Sequence, residues 1–439
     1  MLLAFGRSIF LDIAPYRAAA LPFFTGRFSA IFTVVDIQDI LVLALVGGWL
    51  YAMRVRPRPR LRSLHGWRFF IACLAGFLAL ELALSVFDSG TFDAAAIAGT
   101  RVWFYIPLGF MLTVDTFRRF SKDEVLEFLG FVSWLTVFVM LVYSAAALGW
   151  SLYPYPKYLS LTIDGTLIVR DFTTFPFWTG LAIAYFLSLP RHGPKAVLAL
   201  TLLALGCFFT YTRSYVLCAV FVTLVYIVLT AIIGHRGLRT IAYVVAAAAI
   251  LVGLGVALAL LAPTQLGYFQ ARMQEIGSPV KIATVGNVQA RTDQFARAYE
   301  AGADTSALFG AGLIDDVPAA IQARYLSYDS DWTYMVNRLG PVGLGFMALP
   351  LLVAVAACIR TIAGRSGLGA SKQLGMLLLL MLVFAVMMRF FSILTLWWYP
   401  FGLWSVALVA LNSSGAFVPS GAPSGDRGVS AAHSRNAGG

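Results

Sequence analysis

The sequence predicts an all-α protein, a polytopic transmembrane helical bundle of about 10–12 helices with one large extramembrane loop that contains short helices. Hydrophobic residues make up 60% of the 439 residues and charged residues only 12%, whereas a globular chain carries about a quarter charged residues. Apolar runs of about 20 residues, the length that crosses the hydrocarbon as a helix, recur along the whole chain. A transmembrane β-barrel is disfavoured, because its strands are alternating segments of roughly 10 residues.

Basic clusters between the apolar runs predict the orientation of the helices. The strongest cluster runs from Arg54 to Arg62, and the positive-inside rule places it in the cytoplasm. Counting crossings from it places later basic clusters in the cytoplasm too, as the rule requires, so the net charge of +11 reflects topology and no nucleic-acid partner is predicted. The apolar runs lie at about 33–53, 67–87, 101–118, 126–149, 174–190, 195–211, 214–233, 241–262, 339–361, 373–390 and 392–411.

The same count divides the chain into four segments of a protein in a bacterial inner membrane. They are N-terminal transmembrane helices at 1–262, a periplasmic loop at 263–337, C-terminal transmembrane helices at 338–411 and a disordered cytoplasmic tail at 412–439. Segment 1–30 holds either a short membrane helix or an interfacial one. Within the loop, 288–301 predicts one helix and 317–325 a second. A loop of this length usually carries function.

A second set of arginines falls on the periplasmic side or at periplasmic helix ends, against the usual charge bias. Arg213 stands between two apolar runs with almost no loop, where a guanidinium group suits bidentate capture of a phosphate. Snorkelling of the side chain to the interface is the structural alternative. Arg272, Arg297 and Arg324 are expected to be loop charges that face water. The full set is Arg101, Arg170, Arg213, Arg272, Arg291, Arg297, Arg324, Arg338 and Arg389.

Carboxylates are scarce on that side, and Asp329 and Asp331 stand just before the helix predicted near Leu339. An Asp-x-Asp pair holds a metal in many sugar-nucleotide transferases, but nucleotide sugars are cytoplasmic. A metal-free role as general base is therefore favoured, with Asp331 preferred because it adjoins Trp332, and no metal or cofactor is predicted. Capping of the following helix is the alternative.

Two further predictions concern polar or reactive side chains inside the apolar runs. Glu81 lies in the outer half of a membrane helix, where an ionisable group is costly, so we expect it to line a substrate path or to pair with an outer arginine. The four cysteines, Cys73, Cys207, Cys218 and Cys358, all lie inside apolar runs. They are expected to be buried, inert thiols.

The order of these features resembles the O-antigen ligase and polymerase superfamily over roughly residues 200–360. The matching elements are a Ser/Arg element opening a mid-chain helix, Arg-x-x-x-aromatic in the loop, a Gly-x-Gly turn and a Gly-x-x-Gly helix start. Each motif alone is weak, but their order and shared side make the combination more specific. They are Thr212-Arg213-Ser214, Arg291 to Phe295, Phe309-Gly310-Ala311-Gly312 and Gly340-Pro341-Val342-Gly343, the last preceded by Asp329, Asp331, Trp332 and Tyr334.

The resemblance implies a glycosyltransferase that moves an oligosaccharide from undecaprenyl pyrophosphate to another sugar at the periplasmic face. Ligases of this superfamily, which join O-antigen to the lipid A core, carry a histidine where this loop has Asp329 or Asp331, and none of the four histidines falls in the loop. The implied function is therefore polymerisation of repeat units of an exopolysaccharide, capsule or O-antigen, with ligation as the alternative. A lipid-linked oligosaccharide transporter or flippase is a rival, but the halves show no internal repeat.

The implied site combines carboxylates, arginines and aromatic rings. The expected partners are the undecaprenyl-pyrophosphate-linked oligosaccharide, membrane lipid, and a chain-length regulator with other polysaccharide assembly proteins. The implied catalytic residues are Asp331, Asp329 and Arg291, and the implied substrate-binding residues are Arg213, Arg101, Arg170, Arg338, Trp332 and Tyr334.

Overall fold

The described part of the chain is almost entirely helical. The computed structural model describes residues 64–89, 94–147, 160–163, 166–169, 175–209, 213–233, 288–313, 331–364, 369–391 and 399–417, with short helical pieces between 43 and 54 and between 255 and 270. The helices are α1 (His65–Ser89), α2 (Ala94–Phe117), α3 (Lys122–Ala147), α4 (Phe175–Ser188), α5 (Pro194–Phe209), α6 (Arg213–Ile233), α7 (Val288–Ala303), α8 (Asp331–Ala363), α9 (Gly369–Phe391) and α10 (Tyr399–Ser413).

Five of these helices contain a stretch that is long and apolar enough to cross a membrane. The stretches are His65–Phe87, Lys122–Leu141, Tyr215–Ile232, Met335–Ala363 and Gly369–Met387. Two further helical stretches, Trp178–Ser188 and Pro194–Phe209, are apolar but shorter. Length and composition therefore confirm a helical membrane protein, while the predicted eleven crossings stay a prediction.

The predicted helix bounds differ from the structure in two places. The loop helix predicted at 288–301 is confirmed as α7. However, α2 begins at Ala94, and α8 includes a helical segment from Asp331 that was not predicted. The non-helical Gly340 separates this segment from the longer apolar helix, so the predicted helix start near Leu339 is confirmed. A hydropathy window marks only the stretch that crosses hydrocarbon, so the polar first turns of α8 escaped it. The helix predicted at 317–325 lies outside the described residues.

The described residues also contain one β-hairpin, which was not predicted from the sequence. Strand β1 (Ser160–Ile163) pairs antiparallel with β2 (Thr166–Val169), with Ser160 opposite Val169 and Ile163 opposite Thr166. The two residues between the strands are Asp164 and Gly165, and an Asp-Gly pair between alternating residues is a strong signal for a tight hairpin. The signal was present in the sequence and was missed.

The centre of the bundle is α9, which packs against α3, α4, α6, α8 and α10. Every residue from Leu377 to Leu382 is buried, as expected for a helix that is apolar on all sides. Small residues allow close helix packing here. At Gly180 of α4, an added Cβ atom would lie closer than 3.0 Å to the ring of Phe384 on α9.

One end of the bundle collects polar contacts between helix ends, and we call it the basic end. The Lys122 ammonium group at the start of α3 donates to Ser371 Oγ at 3.2 Å, and Ser371 Oγ donates to Asn412 Oδ1 at 3.0 Å. At the same end, buried Asp115 accepts a hydrogen bond from Trp49 at 2.7 Å and lies 3.7 Å from Arg68. The starts of α1, α3 and α9 and the ends of α2 and α10 therefore lie together, as the predicted count of crossings requires.

The opposite end, which we call the loop end, carries residues 302–313. Helix α1 reaches it from Arg68 at the basic end, because the segment from Arg68 to Ser85 spans roughly 25 Å at the rise of an α-helix. Helix α8 runs antiparallel to α1, since the rings of Phe77 and Phe346 stack at 5.0 Å while Arg338 and Ser85 lie at the same end. Several of the predicted site residues belong to the elements that meet at the loop end.

Candidate functional site

The turn from Phe309 to Gly312 lies directly against the start of α8. The amide of Ala311 donates to the Asn337 carbonyl at 2.7 Å, and the amide of Gly312 donates to the Arg338 carbonyl at 3.0 Å. In the other direction, the Val342 amide donates to the Leu308 carbonyl at 3.2 Å. Three backbone hydrogen bonds therefore join the turn to α8.

The sequence of α8 explains why its carbonyl groups are available to the turn. In a continuous helix the Asn337 carbonyl would accept from residue 341, but residue 341 is proline and has no amide hydrogen. The backbone at Gly340 is non-helical, with φ 61° and ψ −171°, so the Val342 amide turns away from Arg338 and bonds Leu308. A buried carbonyl needs a donor, and the turn supplies one to each of the two carbonyls.

Two glycines permit this approach. Gly310 has φ +74°, and an added Cβ atom would lie 2.6 Å from the Gly340 nitrogen. Gly340 has φ +61°, and its added Cβ atom would lie 2.7 Å from the Gly310 nitrogen. Only glycine combines a left-handed backbone with room for a second backbone at this distance. The glycines of the two motifs therefore face each other.

The same turn is also attached to α1. The Leu313 amide donates to Ser85 Oγ at 2.8 Å, and that hydroxyl group donates to the Glu81 carbonyl at 2.7 Å. Gly312, with φ +85°, lies so close to Ser85 that its added Cβ atom would be 3.2 Å from the Ser85 Cβ atom. The turn thus bridges α1 and α8.

Helix α7 docks on α8 beside the turn. The buried Asn337 side chain donates from Nδ2 to the Ala298 carbonyl at 2.8 Å. Gly302 lies against the backbone of Asn337, where an added Cβ atom would be 2.6 Å from its carbonyl oxygen. Asn337 therefore anchors α7 through its side chain and the turn through its carbonyl group.

Glu81 is buried below the Ser85 contact, with 2% of its surface exposed. Its Oε1 atom finds no hydrogen-bond partner within the described residues. The predicted ion pair with an outer arginine is therefore not seen in that part of the chain.

The structure brings several predicted site residues to the loop end. Asp331 is the first residue of α8, and Tyr334 follows within the next turn. Arg338 has 1% of its surface exposed and is one of the largest fully buried side chains. Trp332 is half-buried and packs against the hydrophobic core, which leaves only part of its ring for a sugar. Arg291 lies in the first turn of α7, and Asp329 and Arg170 lie outside the described residues.

Two other predicted arginines belong to helices with different neighbours. Arg213 is the first residue of α6, which packs against α4, α5 and α9. Arg101 lies in α2, which packs against α1 and α10. The meeting of these arginines with Arg291 stays a prediction.

Sequence reasoning missed two residues that hold the loop end together, Ser85 and Asn337. A serine in an apolar helix has no pattern that distinguishes it, because its hydroxyl group can always bond its own helix. Asn337 carried a usable signal, since it stands four residues before Pro341 and must have an unpaired helical carbonyl.

The fold and the loop end define a class: a helical membrane protein in which a polar helix and a glycine turn are hydrogen-bonded to a kinked apolar helix. No family model matches the chain, and no curated protein matches its sequence.

Proposed function

We propose that the protein is a periplasmic-face glycosyltransferase of the bacterial inner membrane, which polymerises undecaprenyl-pyrophosphate-linked repeat units of an exopolysaccharide, capsule or O-antigen. The observation that carries the proposal is the docking of the Phe309–Gly312 turn and α7 on the first turns of α8. The glycine motifs at Gly310 and Gly340 lie against each other at one end of the bundle. A site for a lipid-linked substrate belongs there, because the pyrophosphate lies at the membrane surface.

The chemistry divides between arginines and a carboxylate. A hydroxyl oxygen of the acceptor sugar attacks the anomeric carbon of the donor, and the bond from that carbon to the pyrophosphate oxygen breaks. Arg291 and Arg213 stabilise the negative charge that grows on the leaving pyrophosphate. Asp331, or Asp329, takes the proton of the attacking hydroxyl group.

The position of Asp331 is compatible with a role as general base and also with stabilisation of the start of α8. As the first residue of α8, it precedes the buried Arg338 by two turns. A carboxylate in the first turn also interacts favourably with the helix dipole, by about 0.3–1 kcal/mol at an exposed site. Asparagine separates the two roles, because it keeps the shape of the side chain and loses the basic oxygen.

The arginine role is tested by Arg291→Ala and Arg213→Ala in a deletion strain. Both variants should lose most polymer at normal protein levels, and the Arg→Lys variants should recover only part, because an ammonium group does not reproduce the planar bidentate fork. Arg297→Ala is the matched control, since Arg297 is an exposed arginine of the same helix. Full polymer synthesis in both alanine variants would exclude the proposed anion site.

The carboxylate role is tested with purified protein and lipid-linked oligosaccharide. Asp331→Asn or Asp329→Asn should lower turnover by about 10²–10⁴, the usual contribution of a general base, with substrate binding retained. Asp293→Asn, an exposed carboxylate of α7, should turn over normally. If both site variants match wild type, no carboxylate at this position acts as base. The length and acceptor of the product distinguish polymerisation from ligation.

A further inference from the structure

An exposed apolar surface lies beside the docked turn. It consists of Phe295 and Tyr299 on α7, which are 39% and 38% exposed, and Leu308 and Phe309 on the turn, which are 58% and 38% exposed. We call these four residues the apolar patch. Large apolar side chains grouped in this way mark a surface that contacts something other than water.

The remaining surface of α7 is charged, and it points the other way. Phe295 and Tyr299 are four residues apart and so share one face of the helix. Arg297 follows Phe295 by two residues, which turns it about 200° around the helix axis at about 100° per residue. Asp293 and Glu300 lie in the same charged sector and are exposed. α7 therefore has one face suited to water and an opposite face that is aromatic.

The depth of the patch follows from α8. A crossing of the hydrocarbon takes about 20 residues, and counting back that number from Arg360 at the basic end reaches Gly340. The Val342 amide bonds the Leu308 carbonyl at 3.2 Å. Leu308 and Phe309 are thereby held at the level where α8 enters the membrane.

An independent count along α1 gives the same level. About 20 residues from Arg68 reach Asp88, close to Ser85, which accepts the Leu313 amide at 2.8 Å. Beside Ser85, the side chains of Leu84 and Phe87 are 45% and 84% exposed, as expected for a surface that faces lipid. The turn that carries part of the apolar patch is therefore attached to α1 at the level where its lipid-facing surface ends.

We propose that the apolar patch is a membrane-docking surface that sits in the headgroup layer of the bilayer, so that α7 lies along the membrane with its charged face in water. Aromatic side chains are enriched at that depth, and an amphipathic helix with such a face binds there. The lipid surface is the occupant that the depth argument favours over a second copy or a soluble protein. The inference goes beyond the proposed function and does not depend on it.

The test places a nitroxide spin label at Tyr299→Cys and Phe309→Cys in the full chain, reconstituted in bilayer nanodiscs. The background carries Cys73→Ser, because the other three cysteines are buried. Glu300→Cys, beside Tyr299 on the charged face, is the matched control. Labels at 299 and 309 should be more accessible to oxygen than to a water-soluble nickel complex, and the label at 300 should show the opposite preference.

Two outcomes would overturn the proposal. Labels at 299 and 309 that prefer the nickel complex, as at 300, would show that the patch faces water. Labels accessible to neither reagent would show that protein covers it. A benzophenone side chain at Phe309 supplies a second measurement in unlabelled protein: adducts with lipid support membrane docking, and adducts with a second copy or another protein contradict it.

Discussion

Replacing Gly310 by alanine tests whether the backbone contact between the turn and α8 holds the loop end together. Gly310 has φ +74°, and its added Cβ atom would lie 2.6 Å from the Gly340 nitrogen. The alanine therefore meets two obstacles, a left-handed backbone and a neighbouring backbone that has no flexible side chain to move aside. Gly415 is the matched control, because it has φ +62° with nothing within 4 Å of its added Cβ atom.

The two substitutions separate strain from crowding. A left-handed conformation costs a non-glycine residue about 1–2 kcal/mol, and alanine regains about 0.4–1 kcal/mol by restricting the unfolded chain. Gly415→Ala should therefore destabilise by about 0–1.6 kcal/mol. Gly310→Ala adds the cost of overpacking, typically about 1–3 kcal/mol. The difference in unfolding free energy between the two variants therefore measures the cost of the close backbone approach alone.

The assay compares denaturant unfolding and amide hydrogen exchange of both variants in one detergent. Gly310→Ala should unfold at lower denaturant than Gly415→Ala, with faster exchange at the amides of Ala311 and Gly312, whose acceptors are on α8. Exchange at the basic end should be unchanged. Equal stability of the two variants, with Ala311 and Gly312 still protected, would refute the argument that the turn and α8 require this contact.

Two further predictions address the anchor of α7 and the histidine His192, which lies between α4 and α5. Asn337→Ala leaves the Ala298 carbonyl without its 2.8 Å donor and should destabilise the docking of α7 by about 1–3 kcal/mol, measured as faster protease cleavage within α7; unchanged cleavage would contradict it. Burial lowers the pKa of His192, although the hydrogen bond to the Leu187 carbonyl opposes the shift. The unfolded chain therefore binds the proton more readily, so the contribution of His192 to stability is present above its ordinary pKa of about 6.5 and is lost as pH falls below it. The difference in unfolding free energy between wild type and His192→Gln should shrink on acidification, and a difference independent of pH would contradict the burial argument.

The helices were predictable because the hydrogen bonds that stabilise each of them lie within one continuous segment of the chain. An apolar run of about 20 residues has one stable state in lipid, a helix with every backbone group paired, so His65–Ser89 and Gly369–Phe391 follow from composition. The amphipathic period also predicted α7 with its start at Val288. The segment of α8 before Gly340 was not predictable in this way, since it carries several polar residues and is held by contacts with the loop.

The candidate site was predictable as a set of motifs and not as a set of contacts. The Gly310-x-Gly312 and Gly340-x-x-Gly343 patterns were recognised through a resemblance, but the structure gives a reason for Gly310 and Gly340, the close approach of two backbones. Ser85 Oγ accepts a hydrogen bond from the Leu313 amide, which is distant in sequence. A single sequence contains no pattern that predicts this pairing. Hydrogen bonds between backbones that are distant in sequence therefore could not be predicted from the sequence.

This form of attachment also explains which residues at the loop end are constrained. Backbone hydrogen bonds join the turn to α8, and they do not depend on side-chain identity. What the geometry requires is glycine where backbones approach and proline where a carbonyl must be released, at Gly310, Gly340 and Pro341. These backbone contacts do not restrict the surrounding side chains, such as the exposed residues of α7 and of the turn. Those side chains can therefore be of the types that bind a substrate or a membrane surface. This arrangement suits a functional site on a loop. Side chains on a loop can be positioned accurately only when a rigid scaffold holds the loop backbone, and here the backbone hydrogen bonds to α8 do so.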